Sequence, residues 1–188
     1  MSSPDLASRL QLLESLDKEY GASASLPLED VDTLVASILG DRAMAPDPDL
    51  TIAVASWAIR HGVELTVAEP VVNALALRSN AARDKAELAR IFGLMQQLAA
   101  HLEPRLGADL ERSNPERPWR ILHVNLAITA IRTEDAGLIE QAFDALDRAL
   151  PDERAGFYAE ALALALSPRV DPTVRRLIEE RHARPQAL

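Results

Sequence analysis

Residues 119–150 read WRILHVNLAITAIRTEDAGLIEQAFDALDRAL, and this stretch decides the fold class. Its first half places Trp119, Ile121, Leu122, Val124, Leu126, Ile128 and Ile131 almost all the way round a helical wheel, with Arg120, Asn125, Thr129 and Arg132 as interruptions. A helix apolar around most of its circumference is buried on several sides. Thr133 is predicted to cap the next helix, where Glu134 and Asp135 suit the positive end of the dipole. That second helix keeps Leu138, Ile139, Ala142, Phe143, Leu146 and Leu150 on one face and Glu140, Asp144 and Asp147 off it. It reads as core on one side and solvent on the other.

The same periodicity extends outward in both directions. Upstream, Leu88, Ile91, Phe92, Met95, Leu98 and Leu102 predict a long helix from about Asp84 to Glu103, stopped by Pro104 and Gly107. Residues 107–118 are polar and broken by prolines, so they read as an internal loop or boundary. Asp47-Pro48 starts a helix that runs to His61 and ends at Gly62, and Thr66 and Glu69 have capping-box spacing for another to Arg78. A further helix spans about Glu29–Leu39. Leu6, Leu10, Leu13 and Tyr20 form the stripe of an N-terminal one, followed by the small, polar segment Gly21–Pro27. Residues 1–24 therefore read as a helical arm with a linker, and 25–188 as a single all-helical domain. Downstream, Pro151-Asp152 and Asp171-Pro172 each predict a helix start. No segment alternates with period two. The expected fold is all-α, about nine helices arranged as antiparallel hairpins, in an α-solenoid-like stack or a compact multi-helix bundle.

Composition bounds the function. The chain has 188 residues, 48% of them hydrophobic, no cysteine, 7 glycines and a net charge of −9. Without thiols there is no disulfide, zinc-thiolate site, iron–sulfur cluster or cysteine nucleophile. No apolar run is long enough to cross a bilayer, and Met1–Asp5 lacks a secretory pattern, so a cytoplasmic location and no membrane association are expected. The acidic balance argues against nucleic acid as a partner. Only Lys18 and Lys85 are lysines, and this arginine-, alanine- and leucine-rich usage suggests a GC-rich bacterial source. Residues 1–50 hold ten acidic against three basic side chains, whereas the tail from Arg169 holds five arginines against three acids. Ends of opposite sign, together with the N-terminal arm, make a homodimer one expected state.

Ala55, Ala58, Ile59 and Arg60 recur as Ala127, Ala130, Ile131 and Arg132, and Glu69, Ala74 and Leu75 recur as Glu140, Ala145 and Leu146 after a one-residue deletion. The segment Asp171-Pro172-Thr173-Val174-Arg175 resembles the Asp-Pro-x-Val-Arg opening of the second helix in HEAT-like repeats. Ala142–Pro151 is loosely similar to a tetratricopeptide second helix, although its proline arrives too early. Neither likeness covers more than about thirty residues at a time. They imply an α-solenoid or a compact relative, a class that commonly offers a groove to a peptide or partner protein.

No Gly-x-Ser-x-Gly, glycine-rich phosphate loop or cysteine–histidine arrangement is present. Glu179 and His182 share one helix face, but a di-iron bundle needs that Glu-x-x-His motif twice. No catalytic residue, metal site or cofactor is therefore assigned. What remains is the company kept by the only two tryptophans: Trp57, Arg60 and His61 in one helix, and Trp119, Arg120, His123 and Asn125 in the other. Tryptophan and arginine are the residues that most often anchor interfaces. The expected function is a non-enzymatic protein–protein interaction module, such as an adaptor, chaperone or assembly factor, with these seven residues as candidate binding residues. A small-molecule-binding helical domain with a pocket between the third, fifth and sixth helices is the alternative, and a metal-dependent helical enzyme the third reading.

Overall fold

The computed structural model describes residues 5–20 and 28–184. The predicted linker Gly21–Pro27 and both extreme ends of the chain lie outside the described residues. Within them the fold is all-α, with nine α-helices and no strand: α1 (Leu6–Tyr20), α2 (Leu28–Leu39), α3 (Pro48–Arg60), α4 (Glu69–Ala81), α5 (Lys85–Leu106), α6 (Pro118–Thr133), α7 (Ala136–Ala149), α8 (Arg154–Ala165) and α9 (Pro172–His182). The chain divides into two compact units after Arg78, inside the last turns of α4.

In the first unit α1 and α3 both pack on α2, whose Val31, Val35, Ile38 and Leu39 are buried. Arg9 of α1 donates to the carbonyl of Ser37 and to Asp41. The start of α3 follows the predicted chemistry: Pro48 occupies the first turn and the Asp47 carboxylate accepts from Leu50 N at 2.9 Å. Its end is a Schellman turn. Gly62 adopts φ +68°, Val63 N donates to Ala58 O at 2.9 Å and Gly62 N to Ile59 O at 3.2 Å. That turn buries Val63 and leaves His61 one helical turn beyond Trp57.

In the second unit α6 is central, with α5 and α7 packed on its two flanks, α9 on α7, and α8 on α9. Only Glu134 and Asp135 separate α6 from α7, so the two form an antiparallel hairpin; the left-handed Glu134 (φ 57°) makes the turn. Several helix boundaries differ from the sequence expectation, among them those of α4, which starts at Glu69 rather than directly after Thr66 and runs past Arg78 to Ala81. Asp135, not Thr133, caps α7, accepting from Leu138 N at 3.0 Å, because Thr133 is still helical and its Oγ1 donates to Ala130 O. Helix α5 passes through Pro104 to Leu106. The missing N–H costs the helix only the bond to Ala100, an exposed residue whose carbonyl water can reach. Helix α8 starts at Arg154 rather than Pro151, since the Glu153 carboxylate that could cap an earlier start is drawn to Arg117 and Arg120.

Candidate functional site

The walls of a groove of about 750 Å³ are α5 and α7, and its floor is the first half of α6. On α5 the lining positions are Gln96, Ala99, Ala100 and Glu103; on α7 they are Gln141, Asp144, Ala145, Asp147, Arg148 and Ala149. The α5 set repeats at i, i+3, i+4 and i+7, the spacing of a single helix face, as do Gln141, Asp144, Ala145 and Arg148 on α7. The alanines keep the walls low, which leaves the space. Gln96 Nε2 donates to Gln141 Oε1 at 3.2 Å and so crosses from wall to wall. About 10 Å further along both helices, Glu103 and Arg148 stand at the rims without an ion pair among the described residues.

Trp119 and His123 form the floor. They lie four residues apart on α6, their rings 4.2 Å apart at a tilt of 60°. His123 is 4% exposed, and its Nδ1 lies 2.9 Å from the Trp119 carbonyl. A carbonyl can only accept, so Nδ1 carries the proton. Burial holds the imidazole pKa below its ordinary 6.5, outweighing the hydrogen bond to Trp119 O and the field of Glu103, which raise it. The ring is therefore neutral at pH 7, with Nε2 an acceptor that has no partner among the described residues. Trp119 is 5% exposed, and its Nε1–H is a buried donor without a hydrogen bond among the described residues. Native interiors rarely leave such a donor unpaired, at a cost of about 1–3 kcal/mol. The floor thus holds one buried donor and one ring nitrogen that have no hydrogen bond among the described residues.

An ionic frame holds this floor in place. Arg117, buried and immediately before α6, grips Asp109 with two bonds (Nε to Oδ1 at 2.6 Å, Nη2 to Oδ2 at 3.0 Å) and also donates to Glu153 and to the carbonyls of Arg112 and Asn114. The hydrogen bond to Asp109 raises the Arg117 pKa above its already high ordinary value despite burial. Burial pushes the Glu153 carboxyl up, but the hydrogen bonds from Arg117 and Arg120 prevail and hold it below the ordinary carboxylate value. At the far side of the groove, buried Arg181 bonds Asp144 at 2.6 Å and Asp147 at 3.1 Å, and Arg154 and the Tyr158 hydroxyl also reach Asp147. Those two groove carboxylates are therefore already engaged.

The seven candidate residues fall into three groups. Trp119 and His123 line the groove. Arg120 braces it from beneath through Glu153 and the Pro115 carbonyl, and Asn125 turns back on its own helix to donate to Ile121 O at 2.8 Å. Trp57 and His61 belong to the first unit, where their rings stack 4.4 Å apart, while Arg60 is exposed. Trp57 Nε1 donates to Asp17 Oδ1 of α1 at 2.6 Å, and His61 Nε2 lies 3.6 Å from the same oxygen. Glu179 and His182 are both exposed, and among the described residues no three His, Asp or Glu side chains gather as metal ligands. Sequence reasoning missed the groove walls. It also missed the role of α7, whose off-core face contributes Gln141, Ala145 and Arg148. The available signal was the matching Gln-x-x-x-Ala spacing of Gln96/Ala100 and Gln141/Ala145.

No family model, curated protein or solved structure matches this chain.

Proposed function

We propose that the chain is a protein-interaction module whose α5–α6–α7 groove receives a helical segment of a partner protein. The observation that carries this reading is the groove itself, about 750 Å³, with Ala99 and Ala100 on one wall and Ala145 and Ala149 on the other. Two parallel rows of small side chains suit the approach of a third helix, and helix-in-groove docking reads i, i+4 and i+7 positions of this kind. The HEAT-like resemblance of Asp171–Arg175 points the same way, since helical-hairpin arrays bind partners through such surfaces.

Selection of displayed helices, built on the sequence Asp5–Tyr20 as parent, tests the reading. Enriched helices are expected to bind the wild-type chain and to lose at least tenfold in affinity, by calorimetry, to chains carrying Ala145→Phe or Ala100→Phe. Both variants fill the groove and are checked for unchanged circular dichroism. Failure to enrich any groove-dependent helix overturns the proposal. The groove also falls within the volume range of small-molecule sites. A metabolite that raises the melting temperature of the wild type but not of Ala145→Phe would replace the partner helix with a small ligand.

A further inference from the structure

The two walls of the groove run in the same direction and in register. Lys85 at the start of α5 pairs with Glu134 just ahead of α7, and Gln96 Nε2 donates to Gln141 Oε1 at 3.2 Å. Counting on from the glutamines in equal steps sets Ala100 level with Ala145, and Glu103 level with Arg148. The helices are thus joined across the groove at two levels and left apart at the next. There the two groups have opposite charge, both are exposed, and neither has an ion pair among the described residues. Elsewhere in the groove the acids are already paired. Asp144 is held by Arg181, and Asp147 by Arg181 and Arg154. The lining as a whole is balanced, with Glu103, Asp144 and Asp147 against Arg148, Arg181 and Arg184. Its unpaired charges are nonetheless divided by wall: Glu103 on α5, and Arg148 with Arg184 on the side of α7 and α9.

We infer that the groove's occupant is a bipolar amphipathic helix, with a lysine or arginine on the flank turned to Glu103 and an aspartate or glutamate on the flank turned to Arg148. The inference rests on the groove being the partner site. An apolar stripe between the two flanks faces Ala99 and Ala100 on one wall and Ala145 and Ala149 on the other. The charges act on selection more than on affinity, because exposed ion pairs add little binding energy whereas like charges set against each other exclude a wrong partner. They also fix direction. Turning a helix end for end exchanges its flanks and brings base to Arg148 and acid to Glu103, so only one of the two directions is allowed. A second copy of the chain is a poorer occupant, since groove against groove sets hollow on hollow and each copy brings a net charge of −9.

The test runs the display selection above against two forms of the full chain: the wild type, and one with the rim charges exchanged, Glu103→Arg with Arg148→Glu. Both forms have the same net charge, so only the arrangement of charge differs between them. Helices enriched on the wild type are expected to carry a base on one flank and an acid on the other. They are expected to bind the exchanged chain at least about tenfold more weakly by calorimetry, and to recover when their own two charges are exchanged. High salt is expected to shrink the difference. Glu103→Gln and Arg148→Gln, made singly, serve if the exchange alters the circular dichroism; each is expected to weaken the enriched helices about threefold. Groove-dependent helices that bind both forms equally would overturn the bipolar occupant while leaving the groove reading intact. Failure to enrich any groove-dependent helix removes both. Self-association of the full chain that Ala145→Phe abolishes makes the occupant a second copy, and the partner helix is overturned.

Discussion

His123 and Arg117 illustrate how single buried groups make opposite contributions to the energetics of the second unit. Burial lowers the His123 pKa, so the unfolded chain binds its proton at a higher pH than the folded chain does. Stability from this group is fully present above about 6.5 and is lost as pH falls from there towards the folded value, because the unfolded state takes up more protons in that window. Urea unfolding at pH 7.5, 6.5 and 5.5 is expected to show a decline that His123→Gln flattens. Arg117 behaves differently, remaining charged throughout. Removing it leaves Asp109 buried without its counter-ion, and Arg117→Met is expected to cost about 3–5 kcal/mol by urea titration. Arg117→Lys recovers only part of this, since an ammonium cannot make the paired bonds to both Asp109 oxygens. Neither residue's role was legible in the sequence. Arg117 sat in a stretch that read as a polar loop, and its partner Glu153 is thirty-six positions away.

At the level of elements, sequence and structure agree where a boundary is set by local chemistry. Asp47-Pro48 and Asp171-Pro172 start α3 and α9 as expected, and Gly62 ends α3. At Gly62 a Cβ would meet no atom within 4 Å, so Gly62→Ala acts through the backbone alone; about 1–2 kcal/mol of destabilisation is expected from thermal unfolding, and less for Gly62→Asn. Asp171→Ala removes the acceptor for Thr173 N and Val174 N and is expected to cost about 1 kcal/mol. Agreement fails where tertiary contacts overrule local signals. Pro104 was read as a stop, but it falls near enough to the end of α5 to be tolerated, and the Pro151-Asp152 start gave way to the ion pairs of Glu153. The groove walls were illegible for a related reason: alanines and glutamines on α5 and α7 read individually as ordinary surface, and become a site only when α6 sets the two helices apart.

On the scale of the whole molecule, the two tryptophans fall one in each compact unit, Trp57 before and Trp119 after the division at Arg78. Each therefore reports its own unit. In single-tryptophan chains, Asp17→Asn is expected to shift the Trp57 emission, and Arg117→Met is expected to lower the denaturation midpoint read from Trp119 more than that read from Trp57. Coincident midpoints for Arg117→Met would show that the units unfold as one. The residue pairs themselves were legible, since each tryptophan has its histidine four positions on. What the sequence could not carry was which pair meets a carboxylate, because Asp17 reaches Trp57 across forty positions.

Glu153 has one more consequence. Its carboxylate holds Arg117 and Arg120 together, and Trp119 lies between them in the chain, so the starts of α6 and α8 are fastened at one point beside the groove floor. The floor is ordered before anything arrives, and association need not freeze it. Loosening that clasp with Glu153→Gln is then expected to appear as a larger unfavourable entropy of binding, with the contacts to the occupant unchanged.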